Sequence, residues 1–121
     1  MKKLIRSFGY AFKGFGYAAA TQLNFRIHVV AMLTACLLGY ALHISAGEWM
    51  WVMLCVALVI SAELINTAIE VLTDLVSPEY NAKAGHVKDA GAAAVLIIAI
   101  FALGVGLIIF LPKIIALIHA A

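Results

Sequence analysis

The sequence predicts an all-α integral membrane protein: an amphipathic helix on the membrane surface, then three transmembrane helices. Three observations lead there. Of the 121 residues, 66% are hydrophobic and 12% charged, whereas a soluble domain is nearer half apolar and a quarter charged. The apolar excess is gathered into three blocks, each close to the ~20 residues that cross a bilayer as a helix. The basic residues are unevenly placed, with five of the eight Lys and Arg in residues 1–26. Repeats, low-complexity tracts and linkers are absent, so one domain over residues 1–121 is expected. A net charge of +2 is too small for a nucleic-acid binder. Cys36 and Cys55 lie inside apolar blocks as small packing residues, without a disulfide or metal-type spacing.

Residues 1–26 carry Lys2, Lys3, Arg6, Lys13 and Arg26. On a helical wheel Leu4, Ile5, Phe8, Phe12 and Phe15 share an arc of about 100°, with the first four cations opposite. That pattern suits a helix lying in the lipid interface near anionic headgroups. A signal peptide is the rival, but Lys13 interrupts the apolar core it would need. Tyr10 and Tyr17 fall towards the basic face, where a ligand or simple interfacial anchoring would explain them equally well.

The first membrane segment is expected over residues 27–44, with Arg26 snorkelling to the surface. His43 to Glu48 reads as a tight turn, and Trp49 and Trp51 stand where an aromatic belt belongs. The second segment, residues 49–76, ends before Pro78, which disfavours helix at Ser77. Asn81 to Asp89 is a polar connection. The third segment, residues 88–112, opens with Gly91-Ala92-Ala93-Ala94, small enough for close helix contact. Pro112-Lys113 closes it at the far interface. With the N-terminus in the cytoplasm, seven cations lie inside and only Lys113 outside, as the positive-inside rule asks.

The second segment holds the unusual stretch. Trp49 to Ala62 contains no charge, and Glu63, Glu70 and Asp74 follow within twelve residues. At 100° per residue Glu63, Asn66, Thr67, Glu70 and Asp74 share one face, an arc of roughly 100°. A carboxylate at or inside a membrane boundary costs several kcal/mol unless paired, hydrated or metal-bound, and so marks a functional site. Merely solvated helix ends and an ion pathway are the competing readings. Against a pathway, the carboxylates cluster towards one surface and no second cluster continues across the bilayer. The cluster, the connection after it and the basic helix all face the ATP-containing compartment.

A nucleotide site would need Mg²⁺, cations on the transferring group and a residue for the acceptor hydroxyl. Magnesium is usually held by one or two carboxylates plus the substrate's phosphates. Glu63 and Glu70 are two helical turns apart, about 10 Å, so two separate roles are expected of them. Asn66 supplies a donor and an acceptor between them. Lys88 and Asp89 stand where the third helix enters the membrane on the same side.

The stretch Glu63-Leu64-Ile65-Asn66-Thr67-Ala68-Ile69-Glu70, with Asp74 and Lys88-Asp89-Ala90-Gly91, resembles the prokaryotic diacylglycerol kinase family. Tyr10-Ala11-Phe12-Lys13-Gly14 and Asn24-Phe25-Arg26-Ile27-His28 extend the likeness over nearly the whole chain. The resemblance implies a homotrimeric lipid kinase of the bacterial inner membrane, with composite sites between subunits, that moves the γ-phosphate of MgATP to a lipid hydroxyl. It implies Glu63 as general base and Glu70 as metal ligand. It places Asn66, Lys88 and Asp89 around the reacting groups, and Tyr10, Glu79, Tyr80 and Asn81 near the nucleotide. Gln22 stands where the family carries a second metal-binding glutamate, so a neutral ligand is expected there. His28 and the Leu75–Tyr80 stretch resemble the undecaprenol kinase branch, and Gly91–Val95 the diacylglycerol branch. Undecaprenol is the favoured acceptor, diacylglycerol the alternative.

Overall fold

The computed structural model describes residues 1–121 as four helices: α1 (Lys2–Thr21), α2 (Leu23–Ala41), α3 (Ala46–Val76) and α4 (Ala82–Ala120). The last three are long and apolar enough to cross a membrane. α3 and α4 form the most extensive contact, α2 packs on α3, and α1 touches α2 and α3.

The break between α1 and α2 is a single residue. Gln22 is extended (φ −115°, ψ 111°) and its N–H reaches the Ala18 carbonyl at 2.8 Å. Sequence gave no stop signal there, because no Gly, Pro or capping side chain marks the break. The helix therefore ends at Thr21, five residues short of residue 26, and Arg26 lies in the first turn of α2. Ala18 is fully buried and Phe25 is 3% exposed. The Phe25 ring meets Phe15 edge-on at a centroid distance of 6.3 Å. These contacts tie α1 down.

The α2–α3 turn is shorter than the expected His43–Glu48, because Ala46–Glu48 already form the first turn of α3. His43 takes a left-handed φ of 50°, rare for a residue with a side chain. Ser45 then caps α3 in a reciprocal box: Glu48 N–H donates to Ser45 Oγ at 3.2 Å and Ser45 N–H to Glu48 Oε1 at 3.0 Å. Such a cap is worth about 1 kcal/mol. Glu48 also meets Lys113 of α4 at 3.2 Å. The Ser45 N–H and then Lys113 hold the Glu48 carboxyl below its ordinary value. Gly39 lets the hairpin close, since a Cβ there would stand 2.8 Å from the Trp49 ring. Ile44, Val52, Ile109 and Phe110 form the buried cluster at this end.

At the opposite end Asn81 starts α4. Its Oδ1 accepts from Ala84 N–H at 2.9 Å, and its Nδ2 donates to Ser77 Oγ at 2.6 Å. With that cap the connection expected over Asn81–Asp89 is already helical from Ala82. Pro112 does not end α4 either; the helix runs through it to Ala120. A proline inside a helix forfeits one backbone bond, yet α4 continues beyond it for about two further turns.

Length places the polar end. α3 has 31 residues, about 46 Å at 1.5 Å per residue, against a hydrocarbon core of ~30 Å. Counted from Trp49, Glu63 is about 21 Å along the helix and Glu70 about 31 Å. Glu63 thus falls within the apolar thickness and Glu70 at its edge.

Candidate active site

The buried positions of α3 are Val52, Cys55, Val59, Glu63 and Thr67. Their spacing of three and four residues is one helical stripe facing the neighbouring helices. The stripe begins apolar and turns polar at Glu63 without changing face. Glu63 is 3% exposed and Thr67 6%. The Thr67 hydroxyl donates to the Glu63 backbone carbonyl at 2.8 Å, which leaves the carboxylate free.

Two buried oxygens on this face lack a hydrogen bond: Glu63 Oε1 and Asn66 Oδ1. Glu63 Oε1 lies 3.2 Å from His28 Nε2 of α2, at ion-pair distance but without hydrogen-bond alignment. Asn66 Nδ2 donates to Glu70 Oε1 at 3.3 Å. Asn66 Oδ1 is pressed against Gly91 of α4, where a Cβ would collide with it. Unmatched buried acceptors cost about 1–3 kcal/mol each. Two side by side on one face are therefore held at a cost that packing must offset.

One turn towards the aqueous end, Lys88 Nζ meets Asp74 Oδ1 at 2.5 Å. The pair joins α4 to α3 just beyond Glu70. Of the residues that sequence singled out, Glu63, Asn66 and Glu70 come together, with Lys88 close behind. Asp89 is exposed on α4 and makes no ion pair. Tyr10 is 62% exposed on α1, and Lys13 Nζ lies 5.8 Å from its ring centre. Glu79 is exposed and Tyr80 is 90% exposed. Both polar side-chain atoms of Asn81 are engaged, Oδ1 in capping α4 and Nδ2 with Ser77 Oγ. Gln22 is half-buried at the α1–α2 break, and its side chain caps neither helix.

Sequence reasoning did not find the His28–Glu63 contact or the Lys88–Asp74 pair. The available signal for His28 was an imidazole in an otherwise apolar turn, on the same membrane side as the carboxylates.

Beside the site is an apolar cavity of about 520 Å³ between α2, α3 and α4. Of its 19 lining residues 16 are hydrophobic, and His28 is the one basic side chain among them. The cavity thus meets, through His28, the carboxylate that the fold has buried. No group of three or more His, Cys, Asp or Glu gathers anywhere as a metal centre.

The family described as "Prokaryotic diacylglycerol kinase" matches residues 9–110. An undecaprenol kinase of Bacillus subtilis is 36% identical over 113 residues, covering 93% of this chain and 92% of that protein. A diacylglycerol kinase of Synechocystis is 44% identical over 118 residues, covering 94% of this chain and 66% of that protein. A diacylglycerol kinase of Escherichia coli K12 is 36% identical over 100 residues, covering 83% and 82%.

Proposed function

The chain belongs to the prokaryotic diacylglycerol kinase family, and from that premise we propose a reaction and an acceptor. It is a multi-pass membrane protein and a lipid kinase. The reaction is transfer of the γ-phosphoryl group of ATP to a lipid hydroxyl, with undecaprenol the favoured acceptor and diacylglycerol the alternative. The observation that carries the reading is the buried Glu63 carboxylate beside an apolar cavity, with Asn66 and Glu70 one and two turns further along the same face.

Glu63 is the general base. A lipid chain lying in the cavity presents its hydroxyl at the His28 end, where Oε1 of Glu63 has no aligned donor. Burial keeps water from competing as acceptor. Asn66 fixes the Glu70 carboxylate through Nδ2 and leaves its orphaned oxygen at the seam with α4. Lys88 changes partner from Asp74 to the phosphates as the nucleotide binds, with Asp89 beside it. Tyr10, Glu79 and Tyr80 border the nucleotide, and Asn81 holds the Glu79–Tyr80 turn.

Magnesium bound with ATP supplies charge neutralisation on the phosphates. Glu70, with the amide oxygen of Gln22, would hold it. The donors fit: they are hard oxygens with one carboxylate, and Mg²⁺ usually takes its remaining ligands from phosphate and water. Gln22→Glu adds an anionic ligand and should lower the Mg²⁺ concentration for half-maximal activity by about tenfold, in line with a modest net charge-pair gain. The shift should vanish once Glu70 is replaced. An unchanged Mg²⁺ dependence would remove Gln22 from the site.

The protein sits in the bacterial inner membrane with its N-terminus in the cytoplasm, α1 lying along that surface. It works as a homotrimer with sites completed across subunits: only 13 of 121 residues are buried within one copy. A detergent-corrected mass other than three chains would contradict the trimer.

The two acceptors are separated by a direct comparison. The undecaprenol kinase aligns over nearly its full length, while the Synechocystis diacylglycerol kinase has the higher identity. Purified protein in mixed micelles should phosphorylate undecaprenol several times faster than diacylglycerol at equal mole fraction. A faster rate on diacylglycerol reverses the assignment and leaves the kinase chemistry intact.

A further inference from the structure

The reaction releases one proton per turnover, and the structure constrains how that proton leaves. The lipid O–H bond breaks, an O–P bond forms, and the β–γ bridging P–O bond breaks with its electron pair going to ADP. The hydroxyl proton goes to Glu63, which must lose it before the next cycle. Glu63 is 3% exposed, and its threonine neighbour bonds the backbone rather than the carboxylate. The titratable side chain in contact with the carboxylate is His28, with Nε2 at 3.2 Å from Oε1 and a side chain 22% exposed. It stands five residues into α2, about 8 Å from that helix's start, on the side of the membrane that carries the polar end of α3.

We propose that His28 is a positioning residue for Glu63 that also carries its proton away. This rests on Glu63 being the base. The proton crosses from the protonated carboxyl to Nε2 of neutral His28 and departs from Nδ1 to water; exchange with water then restores the original tautomer. Imidazole suits the task because its two nitrogens accept and release a proton at different positions. The present misalignment fits a catalytic contact that tightens when substrate fills the cavity. The Nε2–H left once Nδ1 has released its proton faces Oε1, and that donor orients the carboxylate, which no other hydrogen bond fixes.

Two substitutions in the full chain separate proton transfer from mere hydrogen bonding. His28→Gln keeps an N–H donor at about the reach of Nε2 but cannot accept and release a proton. It should lower kcat by about tenfold or more with the KM for ATP unchanged. His28→Ala opens a gap onto the cavity, and added imidazole should restore part of the lost turnover in a concentration-dependent way. Wild-type turnover in His28→Gln, or no imidazole response in a folded His28→Ala protein, overturns the relay. If His28→Ala does not assemble, the glutamine variant decides alone. Glu63→Gln distinguishes the levels: an active Glu63→Gln sinks the base itself, whereas an inactive one beside an active His28→Gln sinks only the relay.

Discussion

Glu63→Gln should lower turnover by two to four orders of magnitude, the range expected for losing a positioned general base. The substitution keeps size and shape, so the packing of α3 against α2 and α4 survives. It replaces an acceptor-only group by an amide, which cannot take the hydroxyl proton. ATP binding should be nearly unchanged, because Glu63 is two turns from Glu70 and deeper in the apolar thickness. The readout is kcat with the KM for ATP measured alongside. Near-wild-type kcat would mean that the buried carboxylate has no part in proton removal.

Gly91→Ala should leave the fold intact and still cost turnover. Alanine is the better helix former by roughly 1 kcal/mol, so on helix propensity alone the change is favourable. The added Cβ falls on Asn66 Oδ1, the free end of a side chain that can rotate aside. Rotation breaks the Asn66–Glu70 contact of 3.3 Å and disturbs the residues proposed to flank the transferring group. We expect a melting temperature equal to or above that of the wild type and kcat down by about tenfold, a typical loss for a misplaced positioning group. Full activity would show that Asn66 need not sit where the α3–α4 seam holds it. A large drop in stability would show that Gly91 serves the packing alone.

The contrast between these two residues shows how far the sequence could be read. Glu63 was legible because a carboxylate after fourteen uncharged residues is costly in lipid, and helical periodicity alone puts it on one face with Asn66 and Glu70. Gly91 was legible only as a small residue for close packing; its partner across the seam depends on the relative height of α3 and α4, which no local pattern encodes. The same limit hid the Lys88–Asp74 and His28–Glu63 contacts. Helix boundaries failed for a different reason. Gln22 breaks the chain through backbone torsion with no breaker residue, and Pro112 loses one backbone donor without ending α4. The hairpin turn expected over His43–Glu48 is helical from Ala46 onward, and its left-handed residue is neither glycine nor asparagine and gave no warning.

On the proposed function, the buried face of α3 moves phosphate from ATP to a lipid hydroxyl. The most direct measurement supplies γ-labelled ATP and Mg²⁺ to the purified protein with lipid acceptor, and follows label into the lipid-extractable fraction. The same preparation is sealed into vesicles to record ion flux. A lipid kinase yields acceptor-dependent labelled lipid phosphate, lost in Glu63→Gln, with no flux. Ion flux without any labelled lipid, from protein shown to be folded, would contradict it.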